Sequence, residues 1–292
     1  MGGKNTLAEF IIKKMAAHTT YVEVYLGSAT IYLQKPIAKV NVLNDFNGNL
    51  VNLYMTVMDK DKKEYLSEML ENTLYSREMF LKFRQMYDTP NEWMMKESVM
   101  RAYLYLYLNR VSFNGMFKSY ARRDDSSVLY SLDNTIKSMS RMFHAGKAVI
   151  EKLSFDSLLL NEGKLRYDNK DTLLYADPPY WVTTEPGNEY YEKLMSKKDH
   201  EVLRDLLFQH KKAKWLLSYD DHDKVRNLYG LPTRQKDGIL KSTTNPNVMA
   251  ILTPDTFQSS ASLMDGETKY LQELLIANYN LETTNTLFDD ES

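Results

Sequence analysis

Short apolar runs alternate along this chain with segments of helical periodicity. Each run predicts a buried strand, because most of its five residues are apolar and it ends at a polar or turn residue. The runs cover residues 21–25, 39–43, 172–176, 214–218 and 248–252. Helical patterns lie between them, for example at residues 48–58 and 198–210. Strands that alternate with helices predict an α/β fold with a largely parallel sheet.

One interval breaks this alternation. From Asp59 to about Gly146 the chain is rich in Met, Tyr, Glu and Lys, and Pro90 is its only proline. Within it, residues 102–108 alternate Leu and Tyr, which fits either a strand or a helix that is buried all round. We favour the buried helix, because no turn signal separates this run from the residues before it. The pattern predicts an α/β domain at 1–58 and 146–292, with an acidic flexible tail at 280–292, and an inserted, mainly helical lobe at 59–145.

Composition excludes several chemistries. The chain has no cysteine, so disulfides, thiolate zinc sites and a cysteine nucleophile are absent. A net charge of −2 argues weakly against nucleic acid, yet residues 111–152 hold seven Lys or Arg against four acids. No apolar stretch approaches the ~18 residues of a membrane span, and the start lacks the features of a signal peptide. We therefore expect a cytoplasmic protein that does not enter a membrane.

A glycine turn follows the first predicted strand. Gly27 comes two residues after Tyr25, and a short helical stretch follows it. In α/β sheets ligands bind at the carboxyl ends of strands, where glycine lets them approach the backbone. The next strand ends at Asn44 and Asp45, and an acid there can accept both hydroxyls of a ribose. Both features also have structural explanations, since Asp45 could cap the helix at residues 48–58.

The tetrapeptide Asp177-Pro178-Pro179-Tyr180 directly follows the apolar strand at 172–176. Two prolines make the backbone rigid and supply no amide hydrogens, which leaves the carbonyls free as acceptors. The Asp177 carboxylate is a further acceptor, and Tyr180 offers an aromatic face. These groups suit a planar ring that carries an amino group. The alternative is a surface turn, which does not require the preceding strand or the following aromatic residue.

These motifs, in this order, resemble those of the Dam-like (alpha-group) DNA adenine methyltransferases. The chain also has a Gly2-Gly3-Lys4 start like that of the family. Residues 108–115, Leu-Asn-Arg-Val-Ser-Phe-Asn-Gly, look like the Asn-Arg-x-x-x-Asn-Gly segment that opens the family's DNA-recognition hairpin. Ser154-Phe155-Asp156 is similar to the acid-bearing segment that meets the cofactor's adenine.

The resemblance implies a Rossmann-like class I methyltransferase fold and a site-specific enzyme. Its reaction would move a methyl group from S-adenosylmethionine to the N6 amino group of a flipped-out adenine in double-stranded DNA. The product would be S-adenosylhomocysteine, and no metal is needed. Such enzymes are encoded by bacteria and phages, in some cases beside a restriction nuclease.

The resemblance also assigns site residues. The implied catalytic residues are Asp177, Pro178, Pro179 and Tyr180. The implied cofactor-binding residues are Gly3, Lys4, Glu23, Tyr25, Gly27, Asp45, Phe155 and Asp156. The implied DNA-binding residues are Asn109, Arg110, Asn114, Lys118, Arg122 and Arg123.

Three departures from the family pattern bear on these expectations. Ala29 stands where the family usually has a second glycine, and no aromatic residue precedes the Gly-Gly-Lys start. Residues 121–130 lack the Gly-Glu-Phe-Asn-like run of the recognition hairpin, so the target sequence cannot be carried over. The alternatives are a weakly active or inactive DNA-binding relative, and an amino-cytosine (N4) methyltransferase. RNA or protein methylation is disfavoured, because the protein-glutamine enzymes typically have Asn in place of Asp177.

Two smaller features complete the expectations. His222 lies among acids at residues 220–223, but neighbouring loop residues rarely converge on one ion, so metal binding is disfavoured. Residues 181–191 follow the tetrapeptide with one glycine and three aromatic residues. They form either a mobile flap over the flipped base or a plain connecting loop.

Overall fold

The structure of the protein is a computed structural model, which describes residues 4–122, 127–181, 195–233, 235, 237–254, 256–257 and 270–282. These residues form two compact units. The sheet unit comprises Lys4–Leu26, Thr30–Phe46 and the chain from Leu153 onward, and the helical unit comprises Gly27–Ala29 and Asn47–Lys152. Within the described residues, no helix combines the length and the apolar character that a membrane crossing requires. The predicted acidic tail lies outside the described residues from 283 onward.

The strands and helices have the following bounds. The strands are β1 (Thr20–Glu23), β2 (Val40–Asn44), β3 (Val149–Glu151), β4 (Leu160–Asn161), β5 (Lys164–Leu165), β6 (Thr172–Ala176), β7 (Lys214–Asp220), β8 (Leu240–Lys241), β9 (Met249–Leu252), β10 (Thr256–Phe257), β11 (Tyr270–Leu271) and β12 (Glu273–Ala277). The helices are α1 (Ala8–Lys13), α2 (Thr30–Gln34), α3 (Gly48–Met58), α4 (Lys60–Glu71), α5 (Arg77–Asp88), α6 (Pro90–Met95), α7 (Ser98–Val111), α8 (Ser127–Ala145), α9 (Phe155–Leu159), α10 (Lys197–Gln209) and α11 (Asp223–Leu228). The predicted strands and helices are confirmed, β6 and α3 with the predicted bounds.

The sheet unit is built on strands in the order β2-β1-β6-β7-β12-β9-β8. Strands β2, β1, β6 and β7 are parallel, whereas β12 is antiparallel to both β7 and β9. The chain proceeds outward from β1 to β2 and then returns to β6 on the other side of β1. This reversal is the switch point of a doubly wound, Rossmann-like sheet, and ligands bind there at the carboxyl ends of the strands. The predicted α/β class with a largely parallel sheet is confirmed.

Both faces of the sheet are buried. Alternate residues of the central strands, such as Val22, Leu174 and Leu217, belong to an apolar core that includes Leu203 of α10. Side chains alternate across a strand, so Tyr21 and its neighbours on the same face point the other way. There the Tyr21 ring stacks on Tyr32 of α2, with 6.4 Å between ring centroids. A parallel sheet covered on both faces explains why its strands read as continuous apolar runs.

The helical unit packs α3, α4, α7 and α8 against one another. Residues 102–108 form part of α7 and are all buried, so the buried helix predicted there is confirmed. Tyrosine is tolerated in this position because its hydroxyl finds a partner. Tyr103 shares a hydrogen bond of 2.9 Å with Thr73, and Tyr107 donates to the carbonyl of Leu74 at 3.1 Å. Helix α3 and residues 146–152 group with this unit, and a DNA-recognition lobe at 59–145 stays a prediction.

Candidate active site

The tetrapeptide predicted to be catalytic begins where β6 ends. All five residues of β6 are buried, and the side chain of Asp177, which follows, is 24% exposed. Pro178 is buried, and Tyr180 is half-buried. The backbone N–H of Trp181 donates to Oδ1 of Asp220 at 3.0 Å, and Asp220 is the last residue of β7. The turn after β6 is therefore anchored to the carboxyl end of the neighbouring parallel strand.

A single ammonium group connects the acids of this site. Nζ of Lys4 lies 3.1 Å from Oδ1 of Asp177, and it donates hydrogen bonds to Glu273 and to the hydroxyl of Tyr180. The Tyr180 hydroxyl in turn donates to Oε1 of Glu273 at 2.6 Å. Only 10% of the Lys4 side chain and 13% of the Glu273 side chain are exposed. Lys4, which we expected at the cofactor, thus contacts the tetrapeptide.

Burial and neighbouring charges set the protonation states of these groups. Burial raises the pKa of Asp177 to about 6; the charge of Lys4 counteracts this effect, and the charge of Glu273 adds to it. Burial lowers the pKa of Lys4, but its attraction to Asp177 and Glu273 prevails and raises that pKa. Burial and the two acids also raise the pKa of Tyr180 far above its ordinary value. At neutral pH the Lys4 ammonium is therefore charged, Asp177 is ionised and the Tyr180 phenol is neutral.

Glu23, the last residue of β1, is 2% exposed and accepts a hydrogen bond of 2.9 Å from the Tyr21 hydroxyl. Burial raises its pKa to about 8, although the Tyr21 hydrogen bond and the charge of Lys35 lower it. The charges of Asp177 and Asp45 raise the Glu23 pKa further. Glu23 is therefore protonated at neutral pH and lies within electrostatic range of both predicted site acids.

A second cluster lies at the ends of β1 and β2. The ring of Tyr25 packs on that of Phe155, with centroids 6.1 Å apart. Burial raises the pKa of Tyr25 well above its ordinary value, and the charges of Asp156 and Asp45 add to the effect. The structure thus brings together four of the residues predicted to bind the cofactor. Aromatic faces and carboxylates are groups that can hold a base and a ribose, so this set fits S-adenosylmethionine.

Asn44 holds this cluster together. Its side-chain amide donates to the carbonyls of Val24 at 2.9 Å and Leu153 at 3.0 Å, and its oxygen accepts from the N–H of Leu153 at 2.8 Å. The side chain thereby ties the end of β1 to the segment that carries Phe155. The adjacent Asp45 does not cap α3, because the side chain of Asn47 accepts the capping hydrogen bond.

The glycine turn has the backbone conformation of the left-handed region at two positions. Gly27 has φ of 51°, and a Cβ added there would meet nothing within 4 Å. Ala29 has φ of 58° and is fully buried. Glycine adopts such a φ without steric cost, and Ala29 stands where the family pattern described above usually has a second glycine. The contact of Gly27 with the cofactor stays a prediction.

The segment predicted to begin the DNA-recognition hairpin forms a loop in the helical unit. After α7 ends at Val111, Ser112 and Tyr120 form an antiparallel bridge, and the N–H of Phe113 donates to the carbonyl of Ser119 at 2.8 Å. Asn109 supports the loop by donating to the carbonyl of Gly115 at 3.4 Å. The predicted DNA contacts stay predictions, although Lys118 and Arg122 are exposed on or beside this loop.

Some predicted features lie outside the described residues. They are Gly3, Arg123, the side chain of Asn114 and, within the segment 181–191, everything after Trp181. His222 caps α11, since its Nδ1 accepts from the N–H of Lys224 at 3.1 Å, and Asp221 pairs with Arg226. In the part of the chain that the structure describes, no three His, Cys, Asp or Glu residues are grouped as a metal site requires.

Sequence reasoning missed three residues of this region. Glu273 contacts both Lys4 and Tyr180, Asp220 holds the turn after β6, and Asn44 joins two segments of the predicted cofactor site. A signal existed for Glu273, since it is an acid at the start of the apolar run that forms β12.

Comparison with known proteins identifies the family of this chain. Residues 1–237 match the family described as D12 class N6 adenine-specific DNA methyltransferase. The chain is 27% identical to the type II methyltransferase M1.LlaDCHI of Lactococcus lactis subsp. cremoris, over 71% of this chain and 74% of that protein. It is 25% identical to a DNA adenine methylase of Vibrio cholerae serotype O1 (78% of this chain, 82% of that protein). It is 22% identical to the DNA adenine methylase of Escherichia coli K12 (64% and 65%).

The family match covers most of the chain, and the predicted family, reaction and cofactor are confirmed. The chain belongs to the D12 class N6 adenine-specific DNA methyltransferases, and it transfers a methyl group from S-adenosylmethionine to the N6 amino group of adenine in DNA.

Proposed function

We propose that the substrate is double-stranded DNA in a bacterial cytoplasm and that the target adenine is flipped into the site at the end of β6. The observation that carries this proposal is the position of the Asp177 carboxylate, at the carboxyl end of a central strand and beside Lys4 and Tyr180. Flipping costs a few kcal/mol, and stacking on an aromatic ring such as Tyr180 returns roughly 1–3 kcal/mol.

Asp177 and the carbonyl of Pro178 accept the two hydrogens of the adenine amino group. The lone pair of that nitrogen is delocalised into the ring, and two acceptors favour its return to a tetrahedral, nucleophilic form. The cofactor supplies an electrophilic methyl group on a sulfonium. As the N6–CH3 bond forms and the S–CH3 bond breaks, N6 gives up one proton, and Asp177 is the acceptor beside it. With a pKa of about 6, Asp177 is ionised and able to accept at neutral pH.

Tyr25, Asp45, Phe155 and Asp156 hold the cofactor. The support for this assignment is that the two rings are packed together and that both acids lie within electrostatic range of Tyr25. Asp45 accepts from the ribose hydroxyls, and Asp156 from the amino group of the cofactor's adenine. We assign Lys4 to the tetrapeptide, because its ammonium contacts Asp177 and Tyr180.

The loop after α7 binds DNA. The observation that supports this assignment is that Lys118, on the loop, and Arg122, at its end, are exposed; both are predicted DNA contacts. Cations on such a loop bind mainly phosphates, so affinity for DNA falls as salt rises. Asn109 and Arg110, at the end of α7, complete the set together with Asn114 and Arg123.

The role of Asp177 is tested with Asp177→Ala and Asp177→Asn. Methyl transfer from labelled S-adenosylmethionine to bacterial genomic DNA is measured, and we expect the rate to fall by about 100-fold or more. Calorimetric binding of S-adenosylmethionine should persist, which shows that the variant is folded. Asp171→Asn is the matched control, because Asp171 is exposed just before the other end of β6. Activity of Asp177→Ala near the wild-type level refutes the proposed role.

The form of the substrate is tested by comparing the same unmethylated genomic DNA before and after heat denaturation. A flipping enzyme that reads both strands methylates the duplex faster. Equal or higher rates on denatured DNA show instead that a single strand is the substrate.

A further inference from the structure

Glu273 has a fixed backbone at the same edge of the sheet as Asp177. It is the first residue of β12 and is paired with Asp220 of β7. On the other side, its N–H donates to Oγ1 of Thr253 at 2.9 Å, and its carbonyl accepts from the N–H of Thr253 at 2.8 Å. Neighbours on both sides therefore hold the Glu273 backbone, so the direction of its side chain is well defined.

The two carboxylate oxygens of Glu273 serve different partners. Oε1 accepts from the hydroxyl of Tyr180 at 2.6 Å, and Oε2 accepts from the ammonium of Lys4. Lys4 in turn lies 3.1 Å from Asp177. Glu273 is thus joined to the last residue of the tetrapeptide directly and to the first through Lys4.

A buried acid in this place requires an explanation. The site already contains an acid in Asp177, and the negative charge of Glu273 makes ionisation of Asp177 harder. A neutral acceptor would accept the hydrogen bond of Tyr180 equally well. Only an anion both attracts the Lys4 ammonium and holds it beside Asp177, and the Glu273 side chain that does so is only 13% exposed. The family match ends at residue 237, so it assigns nothing to this position.

We propose that Glu273 is a positioning residue for methyl transfer: it keeps the Lys4 ammonium beside Asp177 and fixes the Tyr180 hydroxyl, so that the ring faces the target base. This inference rests on the proposed role of Asp177. In this role Glu273 acts through its contacts with Lys4 and Tyr180.

The first test is Glu273→Gln, which keeps the shape of the side chain and removes its charge. Loss of the Glu273 charge by itself lowers the pKa of Asp177, whereas release of Lys4 raises it, and the charge of Lys4 has the larger effect on Asp177. If Glu273 holds Lys4 beside Asp177, the acidic limb of the pH profile of kcat/KM should therefore move to higher pH, by at least ~0.5 pH unit. Glu201→Gln makes the same charge change at an exposed position on α10 and should leave the profile unchanged. A Glu273→Gln profile that coincides with that of the wild type, or that moves to lower pH, overturns the proposal.

The second test is Glu273→Ala, which removes both contacts. We expect kcat to fall by about 10- to 100-fold, with KM for S-adenosylmethionine changed by less than about 3-fold, because the cofactor cluster is separate. In a Tyr180→Phe background, Glu273→Ala should lower kcat by a smaller factor, because the hydrogen bond between Tyr180 and Glu273 is already lost. Fully additive losses show that Glu273 does not act through Tyr180. If Glu273→Ala does not fold, Glu273→Gln alone decides.

The Asp177 variants separate the two proposals. If Asp177→Asn is inactive and the Glu273 variants match the wild type in kcat and pH profile, only the role of Glu273 fails. If Asp177→Asn is fully active, the proposed active site itself fails.

Discussion

The ammonium of Lys4 lies 3.1 Å from the Oδ1 of Asp177, so the third residue of the Gly-Gly-Lys start contacts the first residue of the tetrapeptide. The two motifs stand at opposite ends of the recognisable family pattern. Their contact gives Asp177 a counter-ion and offsets part of the effect of burial on its pKa.

Replacing Lys4 with Met should move the acidic limb of kcat/KM to higher pH. The cation lowers the pKa of Asp177, which burial holds at about 6, so its loss raises that pKa further, by about 1 pH unit or more. A protonated Asp177 cannot accept from the adenine amino group, so activity is lost at a higher pH. Lys13→Met, on the surface of α1, is the control. An unmoved limb, or one displaced to lower pH, contradicts this prediction.

Glu23→Gln should make stability less dependent on pH. In the folded protein the pKa of Glu23 is raised from 4.5 to about 8. The folded state therefore holds a proton that the unfolded state releases, and this contribution is complete below pH 4.5 and lost as pH rises through about 8. The wild type should lose up to ~1.4 kcal/mol per pH unit within this window, a loss that the variant does not share. Urea unfolding from pH 5 to pH 9 measures the difference; parallel curves would show that Glu23 is ionised in the fold.

Asn44→Ala should weaken both the fold and cofactor binding. It removes three hydrogen bonds to backbone groups, a buried one to Val24 and two part-buried ones to Leu153, at a cost of about 2–4 kcal/mol. Because the side chain joins the ends that carry Asp45 and Phe155, affinity for S-adenosylmethionine should fall as well. Asn41→Ala, earlier on the same strand, removes two local hydrogen bonds with Ala38 and should affect stability alone. Calorimetry that gives both variants the same cofactor affinity argues against this role.

Glu162→Asn should stabilise the protein. Glu162 and Gly163 are the two loop residues of the β4–β5 hairpin, and both have positive φ, 49° and 74°. Asn-Gly is the preferred pair for such a turn, and relief of the strained Glu162 backbone should contribute about 0.5–1 kcal/mol. Thermal unfolding measures the gain, and Gly163→Ala should have the opposite effect. A lower midpoint for Glu162→Asn would show that the Glu162 side chain makes a contribution of its own.

Local patterns were sufficient for much of this protein. Strand β6 is recognisable because apolar and aromatic residues follow Thr172 without interruption. The tetrapeptide is contiguous, so its chemistry can be recognised from the sequence alone. The buried helix α7 was likewise predictable from its uninterrupted apolar surface. Each of these features depends on residues that are close in sequence.

Contacts between distant segments were not predictable in this way. Glu273 lies 93 positions after Tyr180, and only the pairing of β12 with β7 brings the two together. Asn44 was overlooked beside Asp45, because its structural role depends on a hydrogen bond with Leu153, which is 109 positions away. The sequence pattern favoured Asp45 as a ligand for the ribose, whereas the side-chain amide of Asn44 is the group that holds the local backbone in place.

The position of β12 has a consequence for how the protein is made. Among the described residues this strand is the last of the sheet in sequence, yet it lies between β7 and β9. Until residue 277 has emerged from the ribosome, β7 and β9 cannot be joined, and each exposes an unpaired edge that can capture another chain. Synthesis that stops a few residues before Ala277 should therefore yield an aggregating fragment rather than a slightly shortened enzyme.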